Sequence, residues 1–287
     1  MNIPDIPVYI INMPARKERQ AAMVSLMARI GIERYVFVEP VRKDAIPPGY
    51  ERLADVNRGY ASLNATVASK IFSVQELIGG PFIVFEDDAI ERVDAKDIQA
   101  HLAGIFADLS GISWDMVYLE YCMETCHSTP IQPSITHIRR ADKPYCTAAM
   151  LYNSQSIPKI RACLASEGAL LDFSYAACIK SGTLDSFVSS PALFAQDAAY
   201  GAGDLSHMDP GHIQWWLDFV IRMYPNDSDA ASGPRLPACW NSREIFRFVR
   251  WTNVAVFLLV VALLLVVYKI RPLRMLHPRI ARKLASS

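Results

Sequence analysis

From Trp251 to Tyr268 the chain carries no charged residue, and only Thr252 and Asn253 are polar. As a helix rising 1.5 Å per residue, this run spans ~27 Å, close to the ~30 Å hydrocarbon core of a bilayer. Trp251 and Tyr268 bracket it, where aromatic rings favour the membrane interface. Arg and Lys beyond them can snorkel toward the headgroups. A buried core helix would show a polar edge, and a tail of Arg, Lys and His would not follow it. A transmembrane helix over 251–270 is therefore expected, single-pass and near the C-terminus. It divides the chain into a head (1–225), a linker (226–250), the span, and a basic tail (271–287).

The formal net charge of zero conceals an asymmetry. Eight of the 29 Lys and Arg lie from Arg247 onward, where no acidic residue occurs. Residues 1–246 keep 21 basic against 29 acidic side chains, a net charge of −8. An acidic head with a basic tail implies that the tail meets an anionic surface such as a membrane, and gives no nucleic-acid signal. Orientation is contested. Residues 1–12 (MNIPDIPVYIIN) show no basic n-region or long apolar h-region, so a cytosolic head is expected. The positive-inside rule places the basic tail in the cytosol as well. Because a short tail can be translocated despite its charge, the expectation is a tail anchor with the head cytosolic; a re-entrant helix, or one lying in the interface, would also remove the conflict, and the low polarity of the segment argues against the interfacial version.

The 287 residues allow one large domain or two small ones, with a core that needs no staple. At 52% apolar and 20% charged residues the chain is neither disordered nor collagen-like. Its six cysteines are scattered. Cys122, Cys126 and His127 look like half a zinc site, but no matching half follows and structural zinc takes four ligands. Free or core cysteines are expected.

Along the head, Pro7–Met13 reads as a buried strand, Arg16–Ile30 as a helix stopped by Gly31, and Tyr35–Val38 as a second strand. That strand–helix–strand opening predicts a parallel sheet with covering helices, an α/β fold. Helices follow over Arg58–Ile78, Ala95–Leu109, Ser156–Ala165, Ser174–Lys180 and His212–Arg222. Strands follow over Phe82–Phe85, Met116–Leu119 and Ala148–Tyr152, with short extended pieces at Phe187–Ser189 and Ala192–Phe194.

The strand Phe82–Phe85 ends abruptly in Glu86-Asp87-Asp88. Ligands of open α/β sheets sit at the carboxyl ends of strands. Alternation puts Glu86 and Asp88 on one face, where they repel. A hard cation relieves that repulsion and also binds phosphate oxygens, so Mg²⁺ or Mn²⁺ with a diphosphate fits this spacing. A solvated acidic loop or helix start fits it equally.

The order of these motifs resembles glycosyltransferase family 25, which includes lipopolysaccharide and collagen galactosyltransferases. Ile11-Asn12-Met13 with Arg16 and Arg19 is similar to the family's opening Ile-Asn-Leu strand and its following Arg. Gly59 to Asn64 stands where the family has Gly-Cys-x-x-Ser-His. Phe82 to Asp88 resembles its apolar strand ending in Glu-Asp-Asp. Trp114-Asp115, Cys146 to Met150, Asp172, Pro191, Gln196 and Asp204-Leu205 resemble later motifs. The resemblance covers roughly Val8 to His207. The chain departs from it at Tyr60, where the family has Cys, and at Leu63-Asn64, where it has Ser-His. Asn can hydrogen-bond like His but does not titrate near neutral pH.

The resemblance implies a GT-A-type, Rossmann-like nucleotide-sugar-binding domain. It also implies inverting, metal-dependent transfer of a hexose, galactose or glucose, from a UDP-sugar to a hydroxyl of a glycan, glycolipid or protein acceptor. In these terms Glu86 and Asp88, completed by His207, are the expected ligands of Mn²⁺ or Mg²⁺. Asn12, Arg19, Asn64, Asp87 and Gln196 are expected around the donor, with Asp87 on ribose or sugar. Asp172 is the expected base for the acceptor hydroxyl, although Asp is also a preferred helix N-cap. Trp215-Trp216 is read as packing rather than sugar stacking. The competing reading, motivated by Leu63-Asn64, is a membrane-anchored sugar- or partner-binding protein of the same fold that has lost catalysis.

Overall fold

The computed structural model describes residues 6–197, apart from 43, 49, 51–57, 123, 125, 127–130, 133 and 168–170, together with residue 259. The chain divides into two compact units, Met1–Trp240 and Asn241–Ser287, and the elements below belong to the first. Apart from residue 259, the expected span, linker and tail lie outside the described residues, as do His207, Asp204, Trp215-Trp216 and the helix expected at 212–222. Among the described residues no helix is long and apolar enough to cross a membrane.

The opening unit forms as its pattern dictates. Strand β1 (Val8–Ile11) is buried at every position, as befits a central strand covered on both faces. Helix α1 (Lys17–Arg29) buries Met23, Leu26 and Met27. It ends at Ile30, where Gly31 takes φ +71° and Ile32 donates its N–H to the Met27 carbonyl, a left-handed stop that suits glycine. Strand β2 (Val36–Val38) then pairs parallel to β1, with Tyr9 opposite Val36.

Helix α2 (Arg58–Ala65) passes through a π segment (Thr66–Ile71) into α3 (Phe72–Ile78), so the expected single helix carries an expanded turn. The Thr66 hydroxyl donates to the Ser62 carbonyl and accepts from the Val41 N–H, and Ser62 donates to the Val41 carbonyl. Such hydroxyl bonds compete with the helical ladder. Strand β3 (Pro81–Glu86) lies parallel to β1, placing Ile11 opposite Glu86. Strand β4 (Ala89–Glu91) follows, then α4 (Ala95–Leu109), capped by the Asp94 side chain on the Lys96 N–H.

Beyond these come β5 (Met116–Tyr118), β6 (Ile138–Arg140), β7 (Ala149–Asn153), α5 (Ile157–Glu167), α6 (Leu171–Lys180), β8 (Ser186–Ser189) and β9 (Phe194–Gln196). Among the described residues seven strands form one mixed sheet in the order β2-β1-β3-β7-β5-β8-β6, Rossmann-like in its parallel β2-β1-β3 portion. Strands β4 and β9 make a separate antiparallel pair. Neither β4 nor β6 is legible in the sequence, because each is three residues long and carries charge.

Period-two alternation splits the strand side chains between two cores. Tyr9, Ile11, Phe82, Val84, Tyr118 and Tyr152 face one, with residues of α3, α5 and α6. Val8, Ile10, Ile83, Phe85, Val117 and Leu151 face the other, with residues of α1 and α4. The sheet is thus covered on both faces. Its C-terminal strand ends are where loops converge.

The cysteines depart from expectation. Cys122 is bonded to Cys146 and Cys163 to Cys178, and Cys126 is also disulfide-bonded. Among the described residues no cysteine is free. Spacing conceals the first pair because its partners meet only through the sheet: Cys122 follows β5, and Cys146 precedes the antiparallel β7.

Candidate active site

The site begins with the adjacency of β1 and β3. Since Ile11 lies opposite Glu86, the residues just beyond each strand meet. Asn12 donates from Nδ2 to Asp87 Oδ2 at 2.9 Å, and Arg19 on α1 donates to Asp87 Oδ1 at 2.7 Å. Arg16, less buried, stands 3.8 Å from the same oxygen. Three expected donor residues are therefore brought together, but both oxygens of Asp87 are engaged within the protein. The trio ties the end of β1 and the start of α1 to the end of β3.

Arg19 and Asp87 are both buried. Removing one partner of a buried pair leaves an uncompensated charge, which costs ~3–5 kcal/mol. Arg19→Ala is expected to lower the urea midpoint by an amount corresponding to ~3 kcal/mol, as measured by equilibrium denaturation.

Glu86 and Asp88 flank Asp87 and are held differently. Thr147, just before β7, donates from Oγ1 to Glu86 Oε1 at 2.7 Å. Gln196 donates from Nε2 to Asp88 Oδ2 at 2.9 Å. The β4–β9 pair delivers Gln196, opposing it to Ala89, and the Asp197 N–H closes on the Asp88 carbonyl at 2.8 Å. Asp88 is 7% exposed, and its Oδ1 is buried with no hydrogen-bond partner. A buried unsatisfied carboxylate oxygen is costly, so it marks either strain or a place for a ligand.

The electrostatics agree with crowding. Burial, then the charge of Asp88, pushes Glu86 up to about 8. Burial raises Asp88 to about 6, against the opposing hydrogen bond from Gln196. Asp172, in the first turn of α6, is also raised by burial and adds to the repulsion on Glu86. Its Oδ1 accepts the Phe173 N–H at 2.8 Å, and the Cys146 backbone hydrogen-bonds it as well. Asp172 therefore lies inside the helix rather than at its N-cap.

Two contributors escape the sequence reading. Glu120, 2% exposed, follows β5 and accepts the Ala148 N–H at 3.0 Å. Burial raises its carboxyl well above the usual range, and the charges of Glu86 and Asp88 raise it further. Its signal was present: Met116 to Glu120 repeats the pattern of Phe82 to Glu86, an apolar strand ending in an acid. Thr147 lies within Cys146 to Met150, one of the stretches that carry the resemblance, but no role for its hydroxyl follows from a Thr before a short strand. Asn64 is fully buried on α2.

Among the described residues no group of three or more His, Cys, Asp or Glu is arranged to hold a metal ion by itself. The donors do fit a hard cation that takes only part of its shell from protein. Mg²⁺-type sites use one or two carboxylates with water and substrate phosphates. The unsatisfied Asp88 oxygen and the raised Glu86 meet that requirement. His207, the expected third ligand, lies outside the described residues.

No family model matches the chain, and no curated protein matches it. Among solved structures, it is similar to the mannose-1-phosphate geranyltransferase of Thermus thermophilus at 12% identity and TM-score 0.35, over 64% of this chain and 73% of that one. It is also similar to a protein assigned as a glucose-1-phosphate thymidylyltransferase of Bacillus anthracis, solved with sucrose. There the identity is 10% and the TM-score 0.35, over 67% of this chain and 89% of that one. Likeness at this level carries no argument about chemistry, which rests on the chain's own residues.

Proposed function

We propose that the head transfers a hexose, galactose or glucose, from a UDP-linked donor to an acceptor hydroxyl on a glycan, glycolipid or protein, with inversion and dependence on Mn²⁺ or Mg²⁺. One observation carries the reading: at the end of β3, Glu86 and Asp88 repel each other while Asp88 keeps a buried oxygen unsatisfied. That arrangement calls for a cation, and the diphosphate of a nucleotide-sugar would complete the cation's shell.

Glu86 and Asp88 would hold the ion, whose contribution is Lewis-acid neutralisation of charge on the departing phosphate. Thr147 and Gln196 fix the two carboxylates, so that little reorganisation accompanies binding. Arg16, partly exposed beside Asp87, would meet a phosphate oxygen of the donor. Asp172 is only partly buried, and its raised carboxyl is a better proton acceptor than an ordinary Asp, which suits the base of a single displacement. Asn64, which stands where the family has His, is buried in α2.

UDP release from UDP-galactose and UDP-glucose by the full chain, with Mn²⁺ and with EDTA, tests this reading. Metal-dependent release that rises on adding acceptor is the expected result. Absence of both release and UDP-sugar binding would overturn it. Metal-dependent binding without turnover across acceptors would instead favour the non-catalytic reading.

A further inference from the structure

The disulfides carry information about compartment. Cys122, Cys163 and Cys178 are buried, and no described cysteine is free. In a cytosol, glutathione and thioredoxin keep such thiols reduced, whereas disulfides persist in the secretory lumen, the periplasm and outside the cell. The head has two extensive cores and does not need bridges to fold. Its bridges therefore report where it matures. The exception, intracellular disulfides of hyperthermophiles, accompanies charge-rich composition. At 20% charged residues this chain falls below the ~25% of ordinary globular proteins.

Charge around the apolar segment supplies an independent observation. Beyond Tyr268 stand six basic residues: Lys269, Arg271, Arg274, Arg279, Arg282 and Lys283. On the head side, residues 235–250 hold four: Arg235, Arg243, Arg247 and Arg250. The Lys and Arg excess marks the cytosolic flank. A cytosolic head would place the larger cluster on the wrong side of the membrane.

We propose that the head lies on the oxidising, non-cytosolic side of the membrane and the tail 271–287 in the cytosol. This reverses the orientation expected from residues 1–12 and removes its conflict with the positive-inside rule. It rests on reading 251–270 as a span, not on the transferase reading. Where the transferase reading also holds, a nucleotide-linked donor made in the cytosol must first be carried across the membrane.

Sealed, cytosolic-face-out vesicles from cells expressing the full gene with an epitope after Ser287 provide the test. Added protease is expected to remove the epitope and leave the head intact until detergent is present. A thiol-reactive polyethylene glycol maleimide, applied after denaturation with no reductant, is expected to leave Cys122, Cys126, Cys146, Cys163 and Cys178 unlabelled and to label them after reduction. Digestion of the head without detergent, labelling of any of these five before reduction, protection of the epitope, or release of the intact chain by alkaline carbonate would each overturn the proposal. None of these readouts depends on catalysis, so failure here is distinct from failure of the transferase reading.

Discussion

Asp88→Asn is expected to lower metal-dependent donor turnover at least ~100-fold while raising thermal stability, the opposite signs that mark a site residue held against its own interest. The amide keeps an oxygen to accept the Gln196 hydrogen bond, so the β4–β9 contact survives. What disappears is a buried charge beside Glu86. A gain of ~1–3 kcal/mol corresponds to roughly 3–10 °C in Tm for a domain of this size. The gain depends on pH, and its sign follows from proton counting. Glu86 and Asp88 are raised to about 8 and about 6, so between pH ~4 and those values the folded state binds more protons than the unfolded one. Stability contributed by these groups is then present below their unfolded pKa values and is lost as pH rises through the folded ones. The advantage of Asn over Asp at position 88 should grow from pH ~4 to about 6 and then level off. Calorimetry across that range, with and without Mn²⁺, checks it. Added metal should narrow the gap only for the wild-type side chain. A variant that loses activity and stability together would mark Asp88 as structural.

The same balance explains why the four acids are tolerated. Thr147, Gln196 and the Ala148 N–H satisfy one oxygen each on Glu86, Asp88 and Glu120, while Arg19 and Asn12 are committed to Asp87. The protein supplies hydrogen bonds to orient these carboxylates but reserves its buried guanidinium for the middle one. A divalent ion would bind more tightly as pH rises, because its ligands must first lose their protons.

What the residues disclose in advance follows from how local each signal is. Apolar runs and breakers are local: Val8–Ile11, Lys17–Arg29 and Ala95–Leu109 emerge within a residue or two of expectation. Parallel pairing of β1 with β2 follows from the helix between them. The Glu86–Asp88 cluster is equally local, three acids on one strand end. Glu120, Thr147 and the Cys122–Cys146 bond are not, since they meet only because β7 returns antiparallel between β3 and β5. Nothing in the spacing of residues 120–147 encodes that return. Asp87 shows the other limit. Its position at the strand end was legible, but its partners depend on α1 folding back to bring Arg19 within 2.7 Å.

Replacing Cys122 and Cys146 together by Ala is expected to weaken both the fold and the metal response, whereas replacing Cys163 and Cys178 should weaken mainly the fold. Each bond closes a short loop, 24 residues in one case and 15 in the other, for which the entropic contribution is ~3 kcal/mol. The unfolding midpoints of the two double variants should therefore fall by similar amounts. Their local consequences differ. Cys163–Cys178 joins α5 to α6. Cys122–Cys146 clamps the segment after β5 to the segment before β7, where Cys122 and Tyr145 also exchange backbone hydrogen bonds. Immediately past Cys146, itself held at φ +67°, come Thr147 on Glu86 and the Ala148 N–H on Glu120. The Cys146 backbone also holds Asp172. Glu86, Glu120 and Asp172 are thus all positioned from residues 146–148, so loosening that corner lets the carboxylates separate and relaxes the repulsion that favours a cation. Titrating Mn²⁺ into each folded variant, well below its unfolding midpoint, separates the two effects. A loss of metal affinity confined to the Cys122/Cys146 variant identifies the bond as the brace of the site. Equal losses would reduce it to one staple among others.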